Sequence, residues 1–373
     1  MTTAHPPADQ LDTKAVIGAP IAAFFAVFIA AIISIGMTRT IPAISQATGQ
    51  DIPFLLGSLL VTLGAFGGFM AGEVSLTVGT VGFTFVSIPF ILTALSVIVL
   101  FKIHRYSELR RPHHDPADRL IAAACSGMIL LICSVFFWFI ADLLNPDTSR
   151  ASLTSNVFLL AAGSLAIGTI ASVAGRASVH RHNPAWSFTF KYALATGLPV
   201  ALITCVFLTI SYEWGSSSWL LIGNMAAAIW SALHAGLINW DVSLGALGGP
   251  NDSGFHLLLA GYEGIWTIIG LPLGAMAIIF ATVAWRKQCM SAAKWALPAA
   301  FAVAALFALG AGTWASGYVR VGADTSRLSF MALLSPLNVP IMAAIGWLID
   351  WLARLGYRPE HSAQPQRSDQ PHL

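Results

Sequence analysis

The chain has 373 residues, 56% of them hydrophobic and only 10% charged, with a formal net charge of +2 and a mean hydropathy of +0.74. A soluble domain carries about 25% charged residues, so composition argues against a soluble enzyme, and the absence of a basic tract with interleaved aromatics argues against a nucleic-acid partner. The chain reads as an integral membrane protein whose first partner is the lipid bilayer.

The opening residues MTTAHPPADQLDTK lack a basic n-region and an early apolar run, so residues 1–13 are expected to be a disordered tail and not a signal peptide. Apolar segments follow at about 15–37, 53–72, 84–103, 120–144, 153–175, 192–211, 217–239, 257–285, 295–316 and 332–353, each near the ~20 residues a membrane-crossing helix needs. The first opens on Lys14 with Gly18 and Pro20 near its start. The second is rich in small residues, "GAFGGFMAG" over Gly64–Gly72, which suits close helix approach. It runs into "AGEVSLTVGTVG", where Val74, Leu76 and Val78 alternate from Glu73 and, after Gly79-Thr80, Val81, Phe83 and Phe85 alternate again. Alternation about a Gly-containing turn predicts a short hairpin or a re-entrant stretch. The third segment ends in a basic loop with Lys102, Arg105, Arg110, Arg111 and Arg119. Segments four and five flank "NPDTSRAS", and Arg176, Arg181 and Lys191 follow.

The second part of the chain repeats these features in the same order. Gly197 and Pro199 begin segment six; "AGLINWDVSLGALGG", with Asp241 in place of Glu73, follows segment seven; Arg286, Lys287 and Lys294 follow segment eight; Asp324–Arg327 is a second DTSR ahead of segment ten. The expectation is an all-α polytopic membrane protein, with about ten segments in two homologous five-segment halves. The halves are 14–176 and 191–354, joined by a basic loop over 177–190, with a disordered tail over 355–373. Most of the 19 Lys and Arg residues fall in four clusters, the last holding Arg354, Arg358 and Arg367. Cytoplasmic loops carry such excess, so all four, and the C-terminus, are expected inside. A conflict follows: segments six to eight would start and end inside, which three crossings cannot do.

Ionisable residues in or near the apolar runs are Glu73, Asp142, His234, Asp241, Glu263 and Asp350; such residues are functional candidates because charge in the bilayer costs about 2.5–3.5 kcal/mol. Asp142 and Asp350 sit near segment ends, the latter beside Trp347 and Trp351, and read as end-caps beside interfacial anchors. Glu263, between glycines and aromatics, is the best intramembrane acid. With Asp241, Glu73 and His234 it forms the candidate polar site between the halves. His234 is weighed as a packing residue against a proton relay, and Asn224 and Asn338 as helix-joining amides. The histidines of "RRPHHD" and "VHRHN" read as solvated or lipid-facing loop residues rather than metal ligands. Cys125, Cys133, Cys205 and Cys289 show no CxxC spacing and read as packing residues. Walker A, HExxH and GxSxG motifs do not occur. No catalytic residue, cofactor or metal is expected, and an enzyme is the least favoured class.

The phrases "AGEVSLTVGTVGFTFVSIPF" and "AGLINWDVSLGALGG" resemble those of actinobacterial polytopic proteins of unknown function, the streptophobe and PerM-type cell-division group. In that group a Gly-rich second span leads into a β-rich phrase and another span. The resemblance covers most of the membrane region. The chain departs from the group in being rich in isoleucine and phenylalanine. The resemblance implies a protein of the bacterial cell membrane, with a role in stabilising membrane protein partners, and carries over no catalytic residue. Two functions therefore compete: a scaffold of the envelope, and a carrier or channel for a small solute or ion with its site between the halves.

Overall fold

The computed structural model describes residues 13–37, 53–68, 70–76, 79–113, 115–144, 151–180, 183–211, 215–243, 251–257, 265–321 and 324–356. In chain order the described elements are α1 (Thr13–Met37), α2 (Phe54–Ala65), β1 (Met70–Leu76), β2 (Gly79–Ser87), α3 (Phe90–Arg110), α4 (Pro116–Leu144), β3 (Ala151–Ser155), α5 (Val157–His180), α6 (Pro184–Ser211), a 3₁₀ turn (Gly215–Leu221), α7 (Ile222–Leu233), β4 (Leu237–Ser243), β5 (Asn251–Leu257), α8 (Ile265–Trp285), α9 (Ala296–Ala308), β6 (Thr313–Val321), β7 (Asp324–Leu334) and α10 (Asn338–Leu355). Helices dominate. Five of them, α1, α3, α4, α5 and α6, are long and apolar enough to cross a membrane. The protein is therefore a helical membrane protein, but all-α is incomplete as a description.

The strands form one seven-stranded antiparallel sheet in the order β3-β1-β2-β6-β7-β4-β5. The hairpin expected after the second segment is present as β1–β2, with Glu73 opposite Gly82 and Leu76 opposite Gly79, so the chain reverses two residues earlier than Gly79-Thr80. The second phrase supplies β4, which pairs with β5 beyond the phrase's end. Further stretches expected to be helix or loop are strand, β3 at the junction of "NPDTSRAS" and the fifth segment among them. "TWASGYVRV", assigned partly to segment nine, is β6, and the second DTSR opens β7. Alternation wins there because Ser316, Tyr318 and Arg320 share one side of a pleated strand.

The second and seventh apolar segments are not full spans. Helix α2 has 12 residues, starts beside the end of α1 (Gly36 lies against the Phe54 ring) and ends where Phe66 stacks on Phe24 midway along α1. Helix α7 also has 12 residues and runs back along α6, Ala226 against Gly197, until Leu233 meets Gly274 in the middle of α8. At 1.5 Å per residue each is about 18 Å long, too short for a hydrocarbon core of about 30 Å. Both end in the same turn. Gly67 has φ +96 and Gly68 donates to the Leu63 carbonyl; Ala235 has φ 57 and Gly236 donates to the Ser231 carbonyl. A left-handed residue closing a helix satisfies its last carbonyls, and the chain then leaves as a strand. Each short helix therefore begins at the sheet end of the molecule and stops partway down, and the strand that follows carries the chain back.

Each bundle has its own main core, and a small third cluster of Ala201, Cys205, Ile222 and Ala226 lies between α6 and α7. One main core is built from α1 to α5 around Phe24, Phe66, Leu63 and Leu130. The other is built from α6 to α10 around Trp285, Phe301, Trp230 and Met342, with Leu334 of β7 joining it.

Candidate functional site

The four residues expected to form a polar site are not gathered. Glu73 lies on β1 and Asp241 on β4, with β2, β6 and β7 between them; four strand spacings of about 4.8 Å put them roughly 19 Å apart across the sheet alone. Asp241 is half-buried and accepts from Ser329 Oγ at 3.2 Å. His234 is buried at the end of α7. Its Nδ1 donates to the Trp230 carbonyl at 2.6 Å, which leaves Nε2 to accept from the Tyr192 hydroxyl at 2.7 Å. Both ring nitrogens are used, so the ring joins α6 to α7 as a packing residue does. Glu263 lies outside the described residues.

What the fold does assemble is the junction between the two bundles. Strands β2 and β6 pair over eight opposed residues, from Thr80–Arg320 to Ser87–Thr313. Beside this seam, Asn224 at the start of α7 is 5% exposed and makes three hydrogen bonds. Its Oδ1 accepts from the Phe90 N–H at 3.0 Å, capping α3, and its Nδ2 donates to the carbonyls of Ile88 at 2.8 Å and Ala311 at 3.2 Å. One amide thus ties the start of α3, the end of β2 and the approach to β6, and stands in for the cap that Pro89 cannot make, since its side chain has no acceptor. Asn338 does a similar job within the second bundle, exchanging two hydrogen bonds with the backbone of Leu237.

The register sets Ser152, Glu73, Gly82, Tyr318 and Arg327 opposite one another in one row across the sheet, and Ala151, Val74, Val81 and Val319 in the next row. On the polar face Tyr318 covers Gly82, where a Cβ would collide with its ring, and the Arg320 guanidinium stands 5.7 Å from the Tyr318 ring centre. Thr80, Thr84, Ser316 and Ser329 share that face and are half-exposed, and Arg320 is exposed.

A second polar centre lies at the far end of the first bundle. Arg176 and Glu108 are both fully buried and paired, Nη1 to Oε2, at 3.1 Å. Glu108 also accepts from His113 Nδ1 at 2.9 Å and from the His113 N–H at 3.0 Å. Arg176 Nη2 donates to His104 Nδ1 at 3.2 Å; His104 Nε2 then donates to Ser126 Oγ at 3.1 Å, and Ser126 donates to the Val16 carbonyl at 3.2 Å. The chain of bonds joins α1, α3, α4 and α5. The histidine of "RRPHHD" is therefore docked, not a free loop residue. The second bundle has a smaller counterpart: Asp350, 4% exposed, accepts from Trp285 Nε1 and from Arg354 Nε, each at 2.7 Å, and Arg354 reaches the Ala292 carbonyl at 3.0 Å. Asp350 is thus a buried tie rather than an interfacial end-cap, while Trp347 and Trp351 beside it are exposed and stacked on each other.

Sequence reasoning missed Glu108 and His104, which it counted with the basic loop. Their signal was the helical stripe Ser96, Leu100, His104, Glu108. The four cysteines are free, and no His/Cys/Asp/Glu group able to hold a metal occurs among the described residues. No family model, curated protein or solved structure matches the chain.

Proposed function

We propose that the protein is a multi-pass scaffold of the bacterial cell membrane, made of two homologous halves, that presents the polar face of its sheet to membrane protein partners outside the cell. The observation that carries this reading is the β2–β6 seam. It fastens the outer ends of both bundles into one sheet, which suits a fixed platform and opposes the outward opening a carrier between the halves needs.

Several features support the duplication. Each half has the order long helix, short helix, hairpin, two helices, strand, helix, except that the second half has two strands, β6 and β7, before its last helix. The sheet holds β3-β1-β2 on one side and β7-β4-β5 on the other, in the same sequence, with β6 added between. Four successive antiparallel pairings separate β1 from β4, so both point the same way. The halves are then parallel, not inverted. With α2 and α7 both turning back, eight segments are left to cross, the 13-residue α9 being lengthened toward the sheet by the 3₁₀ turn Leu309–Ala311, and all the basic clusters lie on the side away from the sheet. All four basic clusters then obey the charge rule, with the sheet outside and the C-terminus in the cytoplasm; Arg320 and Arg327 are basic residues of the sheet itself.

The carrier reading has one observation in its favour. Short helices with a glycine turn at matching places in two halves are a mark of transporter binding sites. Their ends, however, pack within separate bundles: Phe66 on Phe24, Leu233 on Gly274. A disulfide between Thr84→Cys and Ser316→Cys, opposed across the seam, separates the two. In a strain lacking the protein, the locked variant is expected to complement as well oxidised as reduced. Complementation only after reduction would establish a carrier and overturn the scaffold.

A further inference from the structure

Strands β3 and β7 hold the same place in the two halves. Met70 stands opposite Ser155 on β1–β3 as Ile238 stands opposite Leu334 on β4–β7. The match continues residue by residue, through Glu73–Ser152 and Asp241–Met331 to Val74–Ala151 and Val242–Phe330. The far edge of β7 is taken by β6, beginning with Thr313 opposite Ala332. The far edge of β3 has no strand beside it among the described residues.

The first half uses the matching stretch as helix. Val321, the last residue of β6, and Leu144, the last residue of α4, each stand three residues before a DTSR. The nine residues of β6 thus correspond to the last turns of α4, Phe136–Leu144.

The ladder shows which groups that edge presents. The Ser335 N–H donates to the Leu237 carbonyl at 2.9 Å, which makes Ile238–Leu334 a non-hydrogen-bonded pair. Leu334 and Ala332 therefore turn their own N–H and C=O groups away from β4, and Ala332 turns them to β6. By the shared register Ser155, Leu153 and Ala151 turn theirs to the outer edge of β3. Trp138 Nε1 donates to the Ser155 carbonyl at 2.9 Å, in agreement with that direction. Ser155 matches Leu334, which lies inward of the place where β6 begins, so Trp138 does not occupy the matching seat. The strand ASLTS carries no charge and no proline, the usual guards of an edge, whereas β5 at the opposite edge carries Asp252.

We infer that β3 is a docking edge, which takes an extended segment of a membrane protein partner as an added antiparallel strand. The segment lies on β3 as β6 lies on β7 and binds through backbone hydrogen bonds to Ala151 and Leu153. It is uncharged where it meets them, as β6 is over Thr313–Ala315. The edge begins at Trp138, about 9 Å inside the end of α4, so the segment adjoins a membrane span of its owner. The inference rests on the scaffold reading and names how the partner is held.

The test uses a fluorescent peptide with the β6 sequence, TWASGYVRV, and the full-length protein in nanodiscs. The seam is locked by the Thr84→Cys and Ser316→Cys disulfide, so the protein keeps its own β6. One peptide is expected to bind per protein. Ala315→Pro in the peptide removes an N–H that faces β3 and should weaken binding about tenfold or more. Ser316→Pro removes one that faces away and should leave it within about twofold. Leu153→Pro in the protein spares the bonds to β1 and should weaken binding as Ala315→Pro does; if that variant fails to fold, the two peptides still decide. No binding, or equal weakening by both peptide prolines, would overturn the inference. Alternation in the peptide with no effect of Leu153→Pro would place the strand on β5 and overturn the assignment. Dimers of the protein that Leu153→Pro dissolves would give the edge to a second copy and overturn the partner. Loss of peptide binding while the locked seam still complements removes the docking edge alone; failed complementation with peptide binding intact removes the scaffold reading.

Discussion

Removing the Glu108 carboxylate strands the Arg176 charge at a place with no access to water, since both side chains are 0% exposed. Glu108 takes three donors at 2.9–3.1 Å, two of them from His113. Breaking one partner of such a pair costs about 3–5 kcal/mol, on the order of a hundred- to several-thousandfold in the folded-to-unfolded ratio. Glu108→Leu and Arg176→Met should each show this loss. The double variant should not show the sum, because replacing both charges with apolar groups is close to neutral; it should lie within about 2 kcal/mol of the wild type, giving a coupling of about 3 kcal/mol or more. Reversible SDS titration in mixed micelles, followed by the fluorescence of the 12 tryptophans, measures all four species. Burial also makes the coupling insensitive to salt, so 1 M NaCl should leave it in place. Single variants within 0.5 kcal/mol of wild type, on the order of the error of such cycles, would mean that water reaches the pair and that this end of the bundle is open.

Three further outcomes follow from the junction and the turns. Asn224→Ala leaves the Phe90 N–H and the carbonyls of Ile88 and Ala311 without their partner; at about 1–3 kcal/mol for each buried group, a loss of at least about 2 kcal/mol is expected in the same titration, against less than half of that for Asn→Ala at an exposed site. Ala235→Gly should stabilise by about 0.5–1 kcal/mol, since φ 57 is left-handed. Gly67→Ala should destabilise by more than that, because its Cβ would stand 3.2 Å from Gly163 Cα and 3.3 Å from the Leu159 carbonyl; equal effects at both turns would refute the shared geometry. In a background lacking Cys125, Cys133, Cys205 and Cys289, single cysteines at Ser75 and Ser243 should both react with an impermeant thiol reagent on intact cells. Labelling of only one would mean inverted halves.

The sequence made the hairpins visible because Val74, Leu76, Val81, Phe83 and Phe85 alternate, and the basic clusters marked one end of the molecule. The short helices were hidden. Hydropathy sums the apolar residues of α2 and β1, or of α7 and β4, into one run, and a period of 3.6 passes into a period of 2 with no polar break. The glycines at Gly67-Gly68 and the Ala235-Gly236 pair were the available signs, and they read equally well as helix-packing residues. Strands β6 and β7 were masked in a different way: the pleat of Trp314–Arg320 was absorbed by the end of an apolar segment, and the polar DTSR looked like loop. The candidate site was the least legible part. Asn224 bonds to Phe90 and Ala311, and Arg176 to Glu108 and His104; no local pattern announces a partner so far along the chain.

The seam also sets an order of events during synthesis. Strand β2 emerges and pairs with β1 long before β6 exists, so one whole edge of the first hairpin stays open while the rest of the chain is inserted. Thr84 waits for Ser316, and any other copy of β6 that arrives sooner is an equally good mate. Two chains made side by side on the same membrane can therefore exchange second halves and close each other's sheets. Spacing between nascent chains, rather than the strength of the finished seam, then governs how many molecules are closed on themselves.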